Sequence, residues 1–367
     1  MSDRIQDLGP GSSDQNALDL AMIPVRFWIP HMANDLNIAI VGATGAVGAE
    51  LINLLNEAEL PVSGLKLLAS RKSAGQRLKF RGQELSVEEL SAESFAGINL
   101  AFFSAGASRS KEFAPAAVAQ GAFVIDNSSA FRMETDVPLV IPEINPEDAF
   151  KHKGIIAVPN CTTIVALMAL HPLHKAFHVT RVIAASYQAV SGAGAKAIAE
   201  LTSQTQAQLA GKPVEKVIFP HQIAFNILPQ VDIFTGSGYT KEEEKFGNES
   251  RKILHHPSLR TSITCVRVPV YRSHSVALNA EFAQPVSVDQ ARDMLAKAPG
   301  IDLIDEPARL EYPTPLAYSG RKQCAVGRIR TDSALDNGLA FWVSGDQLLK
   351  GAALNAMQIA ELVLKGG

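Results

Sequence analysis

The chain has 367 residues and 39.3 kDa, with 47% apolar and 19% charged side chains. Its 34 Lys and Arg against 37 Asp and Glu leave a net charge of −3. This composition excludes a disordered chain, the length suits two domains, and the slight acidity argues against nucleic acid as a partner.

Residues 1–31 carry no sustained apolar period, no basic start and no small-residue cleavage site. We read them as a disordered or non-native N-terminal extension, with Met32 an alternative start, and not as a signal peptide. Nowhere do about 18 apolar residues run together, so neither a transmembrane helix nor a membrane partner is expected.

Leu36–Val41 reads as a buried strand, followed by Gly42, Gly45 and Gly48 and by Ala49–Asn56 at helical spacing. Further strands are expected at Leu65–Ala69, Asn99–Phe103, Ala122–Asp126 and Ile155–Val158, with helices at Lys111–Gln120 and Thr162–Phe177. Strands alternating with helices predict a parallel, doubly wound sheet of the Rossmann type. The texture then changes. Val179–Tyr187 and Thr264–Val270 are β-branched strands and Ser275–Phe282 alternates in period two, with helices at Ala195–Ala210 and Val288–Lys297. This predicts an α+β domain with a mixed, largely antiparallel sheet. Gln347–Leu364 reads as a closing amphipathic helix. The expected division is a nucleotide-binding domain over 32–160, completed by 345–367, and a catalytic domain over 161–344.

Glycines at a strand-to-helix turn let the backbone approach a pyrophosphate, and the helix N-terminus offers free N–H groups. The second strand then ends in Ser70, Arg71, Lys72 and Ser73 rather than in the carboxylate that would bind an NAD ribose. Cations and hydroxyls there suit a 2′-phosphate, hence NADP.

Three Cys, at 161, 265 and 324, are odd in number and far apart. They fit neither a disulfide framework nor a zinc cluster, and a reducing cytoplasm is the natural compartment. Cys161 sits between a parallel strand and a helix, where ligands bind and where a thiol pKa is lowered, so it is the candidate nucleophile. Cys265 and Cys324 read as core. Most of the His residues, such as His171, His174 and His178, read as surface or structural. His274 opens a strand and is the candidate proton-transfer partner. Arg267 is a cation among alternating valines, which needs an anion. A structural ion pair or a ligand carboxylate would each supply one.

Together these pieces resemble the aspartate-semialdehyde dehydrogenases over roughly residues 33–366. The segments that carry the resemblance are IAIVGATGAVG (38–48), LASRKSAG (68–75), FFSAG (102–106), DNSSAFR (126–132), VPLVIPEIN (137–145) and VPNCTT (158–163). They continue with SYQAVSGAG (186–194), IAFNILPQVD (223–232), CVRVPVYRSHS (265–275), VGRIR (326–330) and LLKGAALNA (348–356). The resemblance implies NADPH-dependent reductive dephosphorylation of L-aspartyl-4-phosphate to L-aspartate 4-semialdehyde and phosphate. The product feeds lysine (through diaminopimelate), methionine, threonine and isoleucine. It also implies a homodimer or a dimer of dimers.

Carried over by motif, Cys161 is the nucleophile, His274 the acid/base and Gln188 a residue that positions the reacting group. Arg267 would hold the substrate α-carboxylate and Glu242 its amine. Arg132, Asn160 and Lys245 would hold phosphate. Gly42, Thr44, Gly45, Ala46, Val47, Gly48, Ser70, Arg71, Ser73, Ser104, Ala105, Gly106, Ser191, Gly192 and Asn355 would contact NADP. No metal ligand set is visible. The alternatives are an N-acetyl-glutamyl-phosphate reductase, whose blocked amine would have no use for Glu242, and a catalytically silent NADP-binding relative.

Overall fold

The computed structural model describes residues 35–366, so the N-terminal extension expected at 1–31 lies outside the described residues. Two sheets organise the chain. The first has seven strands in the order β3-β4-β2-β1-β5-β6-β7. These are β1 (Leu36–Val41), β2 (Val62–Ala69), β3 (Arg77–Phe80), β4 (Gln83–Glu89), β5 (Leu100–Phe103), β6 (Phe123–Asp126) and β7 (Ile155–Ala157). All neighbours pair in parallel except β3 with β4. Strands β1, β5 and β6 are buried almost throughout, as expected for a parallel sheet covered on both faces.

Helices α1 (Ala46–Glu57) and α2 (Ala107–Ala119) follow β1 and β5. Both open on glycine, at Gly45 and Gly106, with no side-chain cap and no acid in the first turn. The β3–β4 hairpin was not delimited from sequence. It turns on Arg81 and Gly82, both at positive φ, as a tight hairpin requires.

The second sheet runs β11-β12-β13-β10-β8-β9. Its strands are β8 (Val179–Gln188), β9 (Arg260–Arg267), β10 (His274–Phe282), β11 (Ile301–Leu303), β12 (Cys324–Thr331) and β13 (Gly338–Gly345). Pairs β8–β9 and β11–β12 are parallel and the other three are antiparallel, so the sheet is mixed as expected. Strand β9 ends at Arg267, three residues earlier than predicted, because Pro269 has no N–H for the ladder.

Four helices serve this half: α3 (Cys161–Phe177), α4 (Ala195–Leu209), α5 (Lys241–Ile253) and α6 (Val288–Leu295). A single-turn α7 (Pro315–Tyr318) and the closing α8 (Leu354–Lys365) complete the set. The predicted final helix is broken: Leu349–Ala353 is a π-helical turn before α8. Helix α3 is apolar nearly all round and packs between the second sheet and this π turn. No helix among the described residues is long and apolar enough to cross a membrane.

Candidate active site

The nucleotide end is built from backbone. Gly42 has φ +88°, and a Cβ there would stand 2.8 Å from the Ser104 carbonyl. A Cβ on Gly48 would drive into the Gly42 carbonyl. The β1–α1 turn and the Ser104, Ala105, Gly106 turn are therefore in close contact, and only glycine permits it. Gly45, Ala46 and Val47 open α1 and leave its first N–H groups without a protein partner from any side-chain cap. Thr44 Oγ1 reaches Ser73 Oγ at 3.4 Å, so the glycine turn touches the turn holding Ser70 and Arg71. Arg71 and Lys72 are exposed and enter no ion pair among the described residues. This cradle fits a dinucleotide with an extra phosphate on its ribose.

The catalytic end is built from buried side chains. Asn160 caps α3, its Oδ1 accepting from Thr162 N at 2.9 Å and Thr163 N at 3.3 Å. This places Cys161 at the first position of the helix, partly buried. A helix N-terminus lowers a thiol pKa, which was the expectation. The site overrides it: burial pushes the Cys161 thiol up to about 11, and Glu242 adds to the rise. Arg132, Arg267 and the Thr162 N–H act in the other direction and are outweighed.

Glu242 is a buried hub. Its Oε1 accepts from Asn160 Nδ2 at 2.9 Å and Gln188 Nε2 at 3.1 Å, and its Oε2 from Lys245 Nζ at 3.1 Å. Burial works to raise this carboxyl, but Lys245 and the amide donors hold it below the usual value. Lys245 also pairs with Asp232 at 2.9 Å.

Two buried groups are left incompletely matched, one without an anion and one without an acceptor among the described residues. Arg267 is 6% exposed and donates from Nη1 to the Ala189 carbonyl at 2.7 Å, yet it has no acid within 4.0 Å among the described residues. The sequence left open a structural ion pair for Arg267; the structure contains none. His274 is fully buried and its Nε2 has no partner. Its Nδ1 accepts from Ala189 N–H at 3.1 Å, so the neutral ring carries its proton on Nε2. Burial and then Arg267 hold its pKa well below the ordinary value. A Cβ on Gly192 would meet Arg267 Nη1 at 2.9 Å and the His274 ring at 3.2 Å. Gly192 therefore floors the space beside both groups, and buried Ser191 is held by Gln347.

Cys265 and Cys324 are fully buried, as expected. Asn355 is fully buried, with Nδ2 donating to the Val140 carbonyl at 2.9 Å and Oδ1 accepting from Lys350 at 3.0 Å. Arg132 is more constrained than expected. It donates from Nε to Val158 O at 2.9 Å, from Nη2 to Asn127 O at 2.9 Å and from Nη1 to Glu249 at 3.1 Å.

Sequence reasoning missed Glu249, Gly351 and Arg272. A Cβ on Gly351 would stand 3.0 Å from Cys161 Cβ, which explains a glycine in the π turn. Arg272 ties Glu50 on α1, at 2.6 Å, to Asp346 at 2.5 Å, next to His274. One trio elsewhere, Glu147, Asp148 and His255, gathers possible metal-ligand atoms within 4.8 Å, but Asp148 is already engaged by Lys151 and Asn145.

Fold and site together define a class: a two-domain pyridine-nucleotide dehydrogenase. The model for the semialdehyde dehydrogenase NAD-binding domain matches residues 37–152, and that for the semialdehyde dehydrogenase dimerisation domain matches 170–350. The aspartate-semialdehyde dehydrogenase of Aquifex aeolicus is 52% identical, covering 90% of this chain and 98% of its own. The solved Vibrio cholerae aspartate semialdehyde dehydrogenase II, complexed with ASA, is 43% identical with a TM-score of 0.88, covering 90% of this chain and 99% of its own. The Candida albicans enzyme, solved with NADP, is 25% identical with a TM-score of 0.71, over 89% and 98% of the two chains. The chain belongs to the aspartate-semialdehyde dehydrogenase family.

Proposed function

We propose that the chain catalyses the reversible, NADPH-dependent conversion of L-aspartyl-4-phosphate to L-aspartate 4-semialdehyde and phosphate, with Cys161 as nucleophile. One observation carries the reading: Arg267, a buried cation without an anion, lies beside an unpartnered His274. Burying such a charge is costly unless a ligand supplies the counter-ion. A substrate carboxylate fits the guanidinium fork.

Gly42 to Gly48, with Ser70, Arg71 and Ser73, would hold NADP, which supplies or accepts a hydride when bound. The Cys161 sulfur attacks the acyl carbon, and the thiol proton leaves with the phosphate. A C–S bond forms as the C–O bond to phosphate breaks, giving a thioester. Arg132 and Lys245 offset the charge on the departing group. Asn160 and Gln188 keep the Glu242 carboxylate facing the substrate amine. After reduction of the thioester, the C–S bond breaks, the aldehyde departs, and the sulfur takes back a proton that solvent supplies and the His274 Nε2–H relays. Acid catalysis of this kind is worth about 10²–10⁴-fold.

The exposed Ile183 and Tyr187 on β8, with Tyr187 against Trp342 at 5.1 Å, give the second sheet an apolar outer face suited to a second copy. A homodimer is the proposed assembly, a dimer of dimers its extension, and the cytoplasm the proposed compartment. The test supplies semialdehyde, phosphate and NADP⁺ together and follows NADPH. Phosphate-dependent reduction of NADP⁺ supports the reading; activity only with the N-acetyl-glutamyl analogue overturns it.

A further inference from the structure

Helix α5 presents Glu242, Lys245, Glu249 and Lys252 at spacings of three, four and three, which places them along one face. The first two meet the candidate substrate. The other two meet the nucleotide-binding half. Lys252 Nζ donates to three carbonyls of one loop, those of Arg132, Glu134 and Val137, each at 2.8 Å. Glu249 is 1% exposed and uses both oxygens. Oε2 accepts the Asn160 N–H at 2.6 Å, and Oε1 accepts from Arg132 Nη1 at 3.1 Å.

Asn160 is the cap immediately before Cys161, and Arg132 is one of the two cations proposed to meet the departing phosphate. A carboxylate this deeply buried is costly unless fully hydrogen-bonded, and here each oxygen has a partner that belongs to the reaction. No other side chain of the described residues touches both the cap and Arg132.

We propose that Glu249 is a positioning residue: one buried carboxylate fixes the turn that aims Cys161 and holds Arg132, setting nucleophile and phosphate cation as a unit. The inference rests on the roles proposed for Cys161 and Arg132. Of the charges that act on Cys161, Glu242 disfavours the thiolate while Arg132 and Arg267 favour it; burial raises the Glu249 carboxyl, and Arg132 and the Asn160 N–H oppose that rise. Glu249→Gln keeps an acceptor for the Asn160 N–H and removes the charge that balances Arg132. Arg132→Ala does the reverse. Their effects on the Cys161 thiol are therefore opposite in sign.

The experiment measures the pH midpoint of iodoacetamide alkylation at Cys161, read by peptide mass, in the parent and both variants. The same proteins are assayed for kcat and for the KM of phosphate and NADP⁺. In Glu249→Gln the midpoint falls by at least half a pH unit, kcat falls at least tenfold, and the KM for NADP⁺ stays within twofold. In Arg132→Ala the midpoint rises, and the double variant lies between the two. Midpoints that stay put, or move in the same direction in both single variants, overturn the proposal. So does a loss in Glu249→Gln that falls equally on phosphate and NADP⁺, the sign of general damage. If Glu249→Gln does not fold, Glu249→Asp, which keeps the charge on a shorter side chain, replaces it, and a parent-like kcat and midpoint there overturn the proposal. Alkylation needs no substrate, so an inactive parent would count against the proposed function and leave this test standing.

Discussion

The two ends of the site hold their ligands by opposite means. The nucleotide cradle is made of glycine backbone, an uncapped helix start and exposed, unpaired cations. The catalytic end is made of buried charges with hydrogen-bond partners, in which Arg267 lacks an acid among the described residues and the His274 Nε2 lacks an acceptor. Exposed contacts compete with water and are individually weak, whereas buried charges are set by their neighbours and are costly to disturb. Substitutions should therefore shift cofactor KM modestly in the cradle and act strongly on turnover in the cluster.

The largest effect is expected at Arg267. Arg267→Lys keeps the charge but loses the fork, and the kcat/KM for semialdehyde should fall about 10²-fold, with the KM for NADP⁺ unchanged. Steady-state kinetics with each substrate varied in turn checks this, and equal loss on both substrates would dissolve the contrast between the two ends. A smaller effect belongs to the cradle. Replacing Arg71 and Lys72 by Ala should raise the KM for NADPH about tenfold and leave that for NADH nearly unchanged. An equal rise for both nucleotides would remove the 2′-phosphate argument.

An effect on stability rather than on turnover concerns pH and lies away from both ends of the site. His152 is buried against Phe123, accepts the Gly154 N–H on Nδ1 at 3.0 Å, and burial lowers its pKa to about 4. Between the ordinary value near 6.5 and about 4, the unfolded chain binds a proton there that the folded chain does not. Stability should thus fall as pH drops through that window, by about 2–3 kcal/mol from this group. Denaturant unfolding of His152→Gln from pH 7 to pH 4 should show a shallower loss than the parent; identical slopes would count against it.

Much of the cradle was legible because its signals are local. Buried runs such as β1 and glycines at a strand-to-helix turn need only a few adjacent residues to be read. Cys161 was legible for the same reason, since Asn160 and the two threonines after Cys161 mark a helix start. The chemistry of the thiol was not. Its raised pKa comes from burial and from Glu242, 81 positions along the chain. Helix α5 is hard to read because Phe246 and Ile253 are the only large apolar side chains in its charged run, although the capping box of Thr240 and Glu243 announces it. Glu249 looks like any surface acid in sequence. Its partner Asn160 is 89 residues away, and only the fold brings them together. The Asn355 partners were hidden likewise, because a polar side chain in a motif does not reveal that it meets Lys350.

In the proposed reaction Cys161, in a buried and charge-balanced pocket, carries the acyl group. Peptide mass analysis of enzyme quenched after mixing with semialdehyde and NADP⁺ in the absence of phosphate observes that group directly. One aspartyl acyl group should appear on the peptide holding Cys161, leave when phosphate is added, and be absent in Cys161→Ala, which should be inactive. An acyl group on Cys265 or Cys324, or turnover that survives in Cys161→Ala, would contradict it.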